Sequence, residues 1–527
     1  MAKPMDKGKE FFEKEVDMRK GRIVFMTIFI MAILLIAVPS PAAKKDTLVV
    51  AFNDVVATLD HYQSTMRTTI QLGYMVWDSL VTRNPDTGEI IPGLARSWKM
   101  IDPLTWEFKL QPGVKFHNGN PCNAQAVRYT IEERVLDEKQ KSPQAVNFKW
   151  IKRVEVVDDV TFRIITYQPY PIVLERLNTL FVYDPVYCKQ AGDQKVAEAP
   201  MGSGPYAFVK WERGSQIVLK KNPNYWMKGI PKIDNVILRT IPEISTRVAE
   251  LISGNVDFGL NYTPDVWDLL QNNPNVAPLE VPILRINFWQ FDGSGVASKG
   301  PWMDKRVRQA IIHAIDRKAI IQKVTGGHAG ELHGPCNPLQ WGYDPAVKQY
   351  DYPYNPEKAK ALLKEAGYEK GFPVDLWFYE GIQRQPNQAA MGYLDPLGIK
   401  VNLKDYAGNI GQLIKFRNAR KVTGIGNFTW GSYNIFDADA ALPAWFQTKE
   451  GMCYNLDPEL NDWLQEARDS VDPAKRKALY SKAQRKIMQE AYWMPFFVVH
   501  QIYGRNKNLE IVVGKDEVPR FNEAYWK

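Results

Sequence analysis

Apolar residues recur along this chain at two spacings, every second position over short runs and every third or fourth over longer ones. The two kinds of run alternate from one end to the other. Thr47–Phe52 is a compact apolar run that predicts a strand, and Asn53–Thr69 is a polar loop ahead of a helix over Ile70–Leu80. Trp106, Phe108 and Leu110 alternate with Glu107 and Lys109, the pattern of a half-buried strand, and Gln111-Pro112-Gly113-Val114 turns the chain. A second turn, His117-Asn118-Gly119, leads into a helix over Ala124–Val135, and Arg153–Thr166 reads as a hairpin turning at Asp158-Asp159. Two further short strands, Tyr206–Trp211 and Gln216–Leu219, flank Arg213-Gly214. The order strand Asn235–Ile241, helix Ser245–Ile252, Gly254, strand Val256–Leu260 predicts a βαβ unit of a mainly parallel sheet.

Near Leu284–Phe291 the chain is expected to cross into a second lobe. Asp304 can cap one helix whose apolar positions run Val307, Ala310, Ile311, Ala314, Ile315, Ile321 and Val324. Asn355-Pro356-Glu357 starts another helix, closed by Gly367, and Asp472-Pro473 repeats the device for a helix ending near Ala491. Pro495–Val499 then reads as a strand returning to the first lobe. Alternating strands and helices of this kind define an α/β protein.

Length adds room for about three domains at ~150 residues each. The formal charge of +8 is spread thinly; the densest basic run, Arg417–Lys421, holds three basic residues, which predicts a solvated face and no nucleic-acid partner. Ile23–Val38 is an apolar run of 16 residues with Arg19, Lys20 and Arg22 before it and Ser40-Pro41-Ala42-Ala43 after it. That layout predicts a cleavable secretory signal over residues 1–43, with Met18 as the biological start and cleavage after Ala42 or Ala43. An uncleaved membrane anchor is the alternative. Residues 1–43 carry seven basic and five acidic side chains, so the exported chain keeps a charge of +6. Cys122, Cys188, Cys336 and Cys453 contain no C-x-x-C pair; two disulfides of undetermined connectivity or four buried thiols both fit.

The longest motif runs from Met201 to Trp226, MGSGPYAFVKWERGSQIVLKKNPNYW. It closely resembles the signature of the large solute-binding proteins of ABC importers, the dipeptide, oligopeptide and nickel group. The segments PGLARSW (92–98), TWEFKLQPGVKF (105–116), TRVAELISGNVDF (246–258) and DKRVRQAI (304–311) resemble the same family, so the likeness spans roughly residues 47 to 510. It implies a two-lobed periplasmic-binding-protein fold of the cluster C type with an extra inserted strand-rich subdomain. Lobe I would comprise 44–84, 200–283 and 498–527, the inserted subdomain 85–199, and lobe II 284–497. It also implies a monomer in the periplasm that closes over a solute by hinge motion and passes it to ABC permease membrane subunits, with no cofactor.

Peptide recognition needs a carboxylate for the ammonium terminus and an arginine for the carboxylate terminus. In the peptide-binding relatives the ammonium partner is an Asp shortly after a Trp. Here Trp430 is in place, Tyr433 stands where that Asp would be, and Asp437 is the nearest acid able to substitute. Gln383-Arg384-Gln385-Pro386 resembles the segment whose arginine binds the carboxylate terminus, which makes Arg384 the expected anchor. Ser64, Thr65 and Met66 occupy a loop that carries ligand contacts in the family, with the Thr65 hydroxyl as a donor. The Asp-to-Tyr departure widens the candidate solutes from peptides to opines, glutathione, nickel complexes and sugars. His328, Glu331 and His333 could offer three metal ligands at most, and a plain exposed loop is the reading adopted; His117 is expected to serve packing. A secreted hydrolase is the rival class, but neither G-x-S-x-G nor H-E-x-x-H occurs, so no enzyme is expected. A sensor or chaperone on the same scaffold is a third possibility.

Overall fold

The computed structural model describes residues 45–379, 381–431 and 434–527. The expected signal segment with its Met18 start and the candidate Tyr433 lie outside the described residues. One eleven-stranded sheet organises the rest, and it is mixed rather than mainly parallel as expected, because the two long strands shared by the lobes and the hairpin at residues 206–221 pair antiparallel with their neighbours. The βαβ unit forms as its pattern predicts: Thr47–Phe52 pairs in parallel with Asn235–Thr240 on one side and Phe258–Tyr262 on the other, and the helix Ile244–Ile252 connects those two neighbours. The hairpin Tyr206–Glu212 and Gln216–Lys221 extends that half of the sheet.

At the other end Pro373–Phe378 lies parallel to Lys400–Asp405 and Ile425–Trp430. Two long strands, Val276–Phe291 and Trp493–Asn506, join the halves and run antiparallel to each other. Val276–Pro282 faces His500–Asn506 beside one core, and Ile286–Gln290 faces Trp493–Val498 beside the other, with a register shift between Pro282 and Ile286. The first core gathers Leu48, Trp77, Phe108, Phe258 and Tyr503. The second half packs around Trp289, Ile311, Leu376 and Phe496, and around Phe288, Trp445 and Trp493, where the Phe288 and Trp493 rings stack at 3.6 Å. Each of the two lobes therefore has its own buried interior, and only the shared strands are continuous through both. The expected return at Pro495–Val499 is part of the longer strand, whose first half still belongs to the second lobe and whose Ile502 and Tyr503 reach the first.

The strand-rich segment forms a separate four-stranded antiparallel sheet in the order Ala95–Asp102, Thr105–Leu110, Thr161–Thr166, Ile151–Val156. Its turn works as the sequence suggests, because the Asp158 carboxylate accepts from the backbone of Val160 and Thr161. Phe108, Phe162 and Ile164 point into the first core rather than into a core of their own.

Three helices depart from expectation. The helix expected over Asp304–Val324 is two, Lys305–Ala314 and Arg317–Val324, because Asp316 accepts from Ala319 N–H at 2.9 Å and starts a new helix while Ile315 is extended. The helix before the first strand-rich segment runs Arg67–Val76 and stops at an extended Trp77. Ala124–Tyr129 continues through Thr130–Val135 as a π-helical turn.

The Met201–Trp226 motif does structural work. A Cβ built on Gly202 would lie 1.9 Å from the Val76 carbonyl oxygen, and one on Gly204 would lie 2.6 Å from the Val76 carbonyl carbon, so the loop passes where only glycine fits. Buried Asp78 accepts from Ser203 Oγ at 2.8 Å, Tyr225 OH at 2.7 Å and Trp226 Nε1 at 3.1 Å, which ties both ends of the motif to one carboxylate. Burial pushes that carboxyl up to about 6, against the three hydrogen bonds. His117 packs here too, its Nε2 3.0 Å from the Gly204 carbonyl.

All four cysteines are free and buried. The segment expected to be an exposed loop instead contains a short strand, Ala329–Glu331, paired with the long strand Trp493–Asn506; His328 pairs with Glu280 at 2.9 Å and His333 with Asp351 at 2.7 Å, and among the described residues no group of three or more His, Cys, Asp or Glu could hold a metal ion. Among the described residues no helix is long and apolar enough to cross a membrane.

Candidate functional site

Beyond the strand Ile425–Trp430, Asn434 and Phe436 face the first lobe. Arg67, in the first turn of its helix, donates to Asn434 Oδ1 and to Glu517 Oε1, the latter at 3.2 Å. Arg285 lies on the crossing strand and donates to the other oxygen of Glu517 at 2.9 Å. Two guanidinium groups from different elements thus converge on one carboxylate that is itself nearly buried. Gln71 donates to the Glu517 carbonyl at 3.1 Å and fixes that tail. A Cβ placed on Gly431 would lie 3.5 Å from Glu517 Oε1 and 3.7 Å from Arg285 Nε, so Gly431, next after Trp430, lies directly beside this cluster. Asn434 and Glu517 both adopt positive φ, 68° and 66°, a backbone region that L-residues enter at a cost and that functional loops often hold.

Trp430 is half-buried, donates Nε1–H to the Ala440 carbonyl at 2.8 Å and meets Trp445 edge-on at 5.6 Å. Asp437 is buried: Arg476 Nη2 donates to both of its oxygens, at 2.9 and 3.0 Å, and it accepts from Asp439 N–H at the start of a short helical turn. Burial pushes its carboxyl up, against the opposing pull of Arg476. Arg384, the first residue of the helix Arg384–Leu394, is half exposed and ion-paired with Asp405. Thr65 is exposed in the loop ahead of Arg67. The structure therefore brings Trp430 and Asp437 into one loop region and places Arg384 on a separate helix with a counter-ion of its own.

Sequence reasoning missed Arg67, Arg285, Glu517 and Asn434. They lie far apart in the chain and carry no motif. One signal was available: Arg285 interrupts the apolar run Ile283-Leu284-Arg285-Ile286, and a charge inside a crossing strand needs a partner.

A two-lobed α/β molecule with polar and aromatic side chains converging between the lobes defines a solute-binding protein. The profile of the bacterial extracellular solute-binding proteins, family 5 (Middle), matches residues 89–453, and the chain belongs to this family. It is 29% identical over 482 residues to a glutathione-binding protein, GsiB, of Pectobacterium atrosepticum, covering 89% of this chain and 91% of that one. It is 31% identical over 464 residues to heme-binding protein A of Haemophilus influenzae, covering 81% and 82%. The periplasmic binding protein DppA of Helicobacter pylori, solved with the peptide STSA, superposes with a TM-score of 0.75 at 26% identity over 92% of this chain and 98% of that one.

Proposed function

We propose that this chain captures a peptide or peptide-like solute between its lobes and delivers it unaltered to the membrane subunits of an ABC importer. It acts as a monomer in the periplasm after export, with residues 1–43 removed as a signal. The observation that carries the reading is the convergence of Arg67 and Arg285 on Glu517 beside Gly431, at the junction of the two lobes. Two guanidinium groups share the one Glu517 carboxylate, so the cluster keeps a net positive charge for a solute carboxylate, and exclusion of water from a closing cleft strengthens such charge-assisted hydrogen bonds. Trp430 and Thr65 line the same region in this reading, and Arg384 is the further carboxylate anchor. Asp437 acts through the loop it braces, since its oxygens already meet Arg476.

Glutathione is the first solute to test, because it is peptide-like, carries two carboxylates, and relatives covering most of this chain are named for binding it. Native mass spectrometry of the purified protein identifies any solute carried through purification, and titration calorimetry with glutathione and with methionyl-leucine measures affinity. Binding without turnover is the expected result. Consumption of either compound would replace this reading with the hydrolase alternative.

A further inference from the structure

The lobes also meet through a second set of contacts, apart from the crossing strands. Arg83 ends the short strand Val81–Arg83 of the first lobe, and its side chain is 1% exposed. Its Nη2 donates to Glu175 Oε2 at 2.7 Å, within the same lobe, and to the Asn434 carbonyl of the second lobe at 2.9 Å. The same Glu175 oxygen accepts from the backbone N–H of Phe436 at 2.7 Å. The Phe436 ring lies under the Arg83 guanidinium, 4.1 Å from ring centre to the central carbon. Gly88, at φ +79°, faces that ring so closely that an added Cβ would stand 3.1 Å from it. Ile172 of the first lobe packs with Ile435 and Ala440 of the second.

We propose that Arg83 and Glu175 form an interlobe latch that sets ligand affinity without touching the ligand. The inference rests on the solute-capture reading. The Arg83–Glu175 pair needs nothing from the second lobe to neutralise its charge, so it survives opening as a preformed docking point. The bonds to Asn434 and Phe436 exist only while the lobes are together. Contacts of that kind enlarge the closed population whether or not a solute is present. Apparent affinity scales with the competent fraction, so the latch strengthens binding of every solute by one common factor. A residue that touched the solute would change affinities by factors that depend on the solute. Arg83 and Glu175 are positioning residues in this sense.

The test uses the full exported chain with spin labels on cysteines introduced at Val209 in the first lobe and Lys360 in the second, both exposed; the native cysteines are buried. In the ligand-free protein a short-distance population is expected, and it shrinks in Phe436→Ala and in Glu175→Gln. In the same variants Kd for glutathione and for methionyl-leucine rises by a factor common to the two probes, about tenfold where Glu175→Gln removes the charge from its bonds to Arg83 and to the Phe436 N–H, and about fivefold where Phe436→Ala removes the ring under the Arg83 guanidinium. Distances that match the wild type in both variants would overturn the latch and leave solute capture standing. Unequal factors for the two probes would overturn it as well, by making these residues ligand contacts. If neither probe binds, the ligand-free distances decide the matter alone.

Discussion

Asp437 and Arg476 are joined through both carboxylate oxygens to one guanidinium nitrogen, at 2.9 and 3.0 Å, and both side chains are buried. Arg476 also lies 4.6 Å from the centre of the Trp341 ring, and Trp341 donates its backbone N–H to the Phe436 carbonyl. The acid that the sequence nominates for the ammonium end of a peptide is thus part of a brace inside its own lobe.

Asp437→Asn should therefore act first on stability. It leaves a buried guanidinium short of its counter-charge, which costs on the order of 3–5 kcal/mol. Urea unfolding reads this directly. Calorimetry with a free and an N-acetylated peptide should show equal changes in affinity; a loss confined to the free amine would restore Asp437 as a ligand contact.

Arg384→Ala separates the two roles of that residue in the opposite way. Its pair with Asp405 is half exposed, and exposed pairs contribute within about 1 kcal/mol, so the melting temperature should barely move. Binding of carboxylate-bearing solutes should fall at least about tenfold, the loss expected for one charge-assisted anchor. Unchanged calorimetric affinity would remove Arg384 from the site.

Asp78 predicts a pH dependence. In the folded protein it keeps its proton up to about pH 6, whereas an ordinary solvated aspartate loses it near 3.8. Folding takes up a proton between those values, so this contribution is fully present below about pH 4 and is lost as pH rises through 6, by roughly 3 kcal/mol in all. Urea unfolding of wild type and Asp78→Asn at several pH values isolates it: the difference between the two should favour wild type increasingly towards acid.

Gly202→Ala should show that the family signature is architectural. The added methyl meets the Val76 backbone, which cannot give way as a side-chain tip would, and the cost is on the order of 3 kcal/mol or failure to fold. The folded fraction should bind solute with wild-type affinity in calorimetry.

The four thiols should resist modification. Burial pushes Cys188 up to about 12 and raises the other three, so none offers a thiolate or an accessible sulfur. A thiol reagent should titrate none in the native protein and four after denaturation.

Much of the fold was legible because it depends on local rules. Period-two runs, glycine at turns and Asp or Asn before helices produced the strands, the βαβ unit and the helix starts at Asp304, Asn355 and Asp472 where they were expected. The Trp430 loop was found through the likeness to the peptide-binding family and not through these rules. They did not locate the break at Asp316, where a cap inside an apolar pattern overrides the periodicity.

What the sequence could not carry is any pairing between distant charges. Whether Asp437 is offered to a solute or spent on Arg476, and whether Arg67, Arg285 and Glu517 ever meet, depends on which segments the sheet brings side by side. A carboxylate looks the same in sequence in either case. Its role follows from the partner within 3 Å and from the water excluded around it, and both are settled only when the chain has packed.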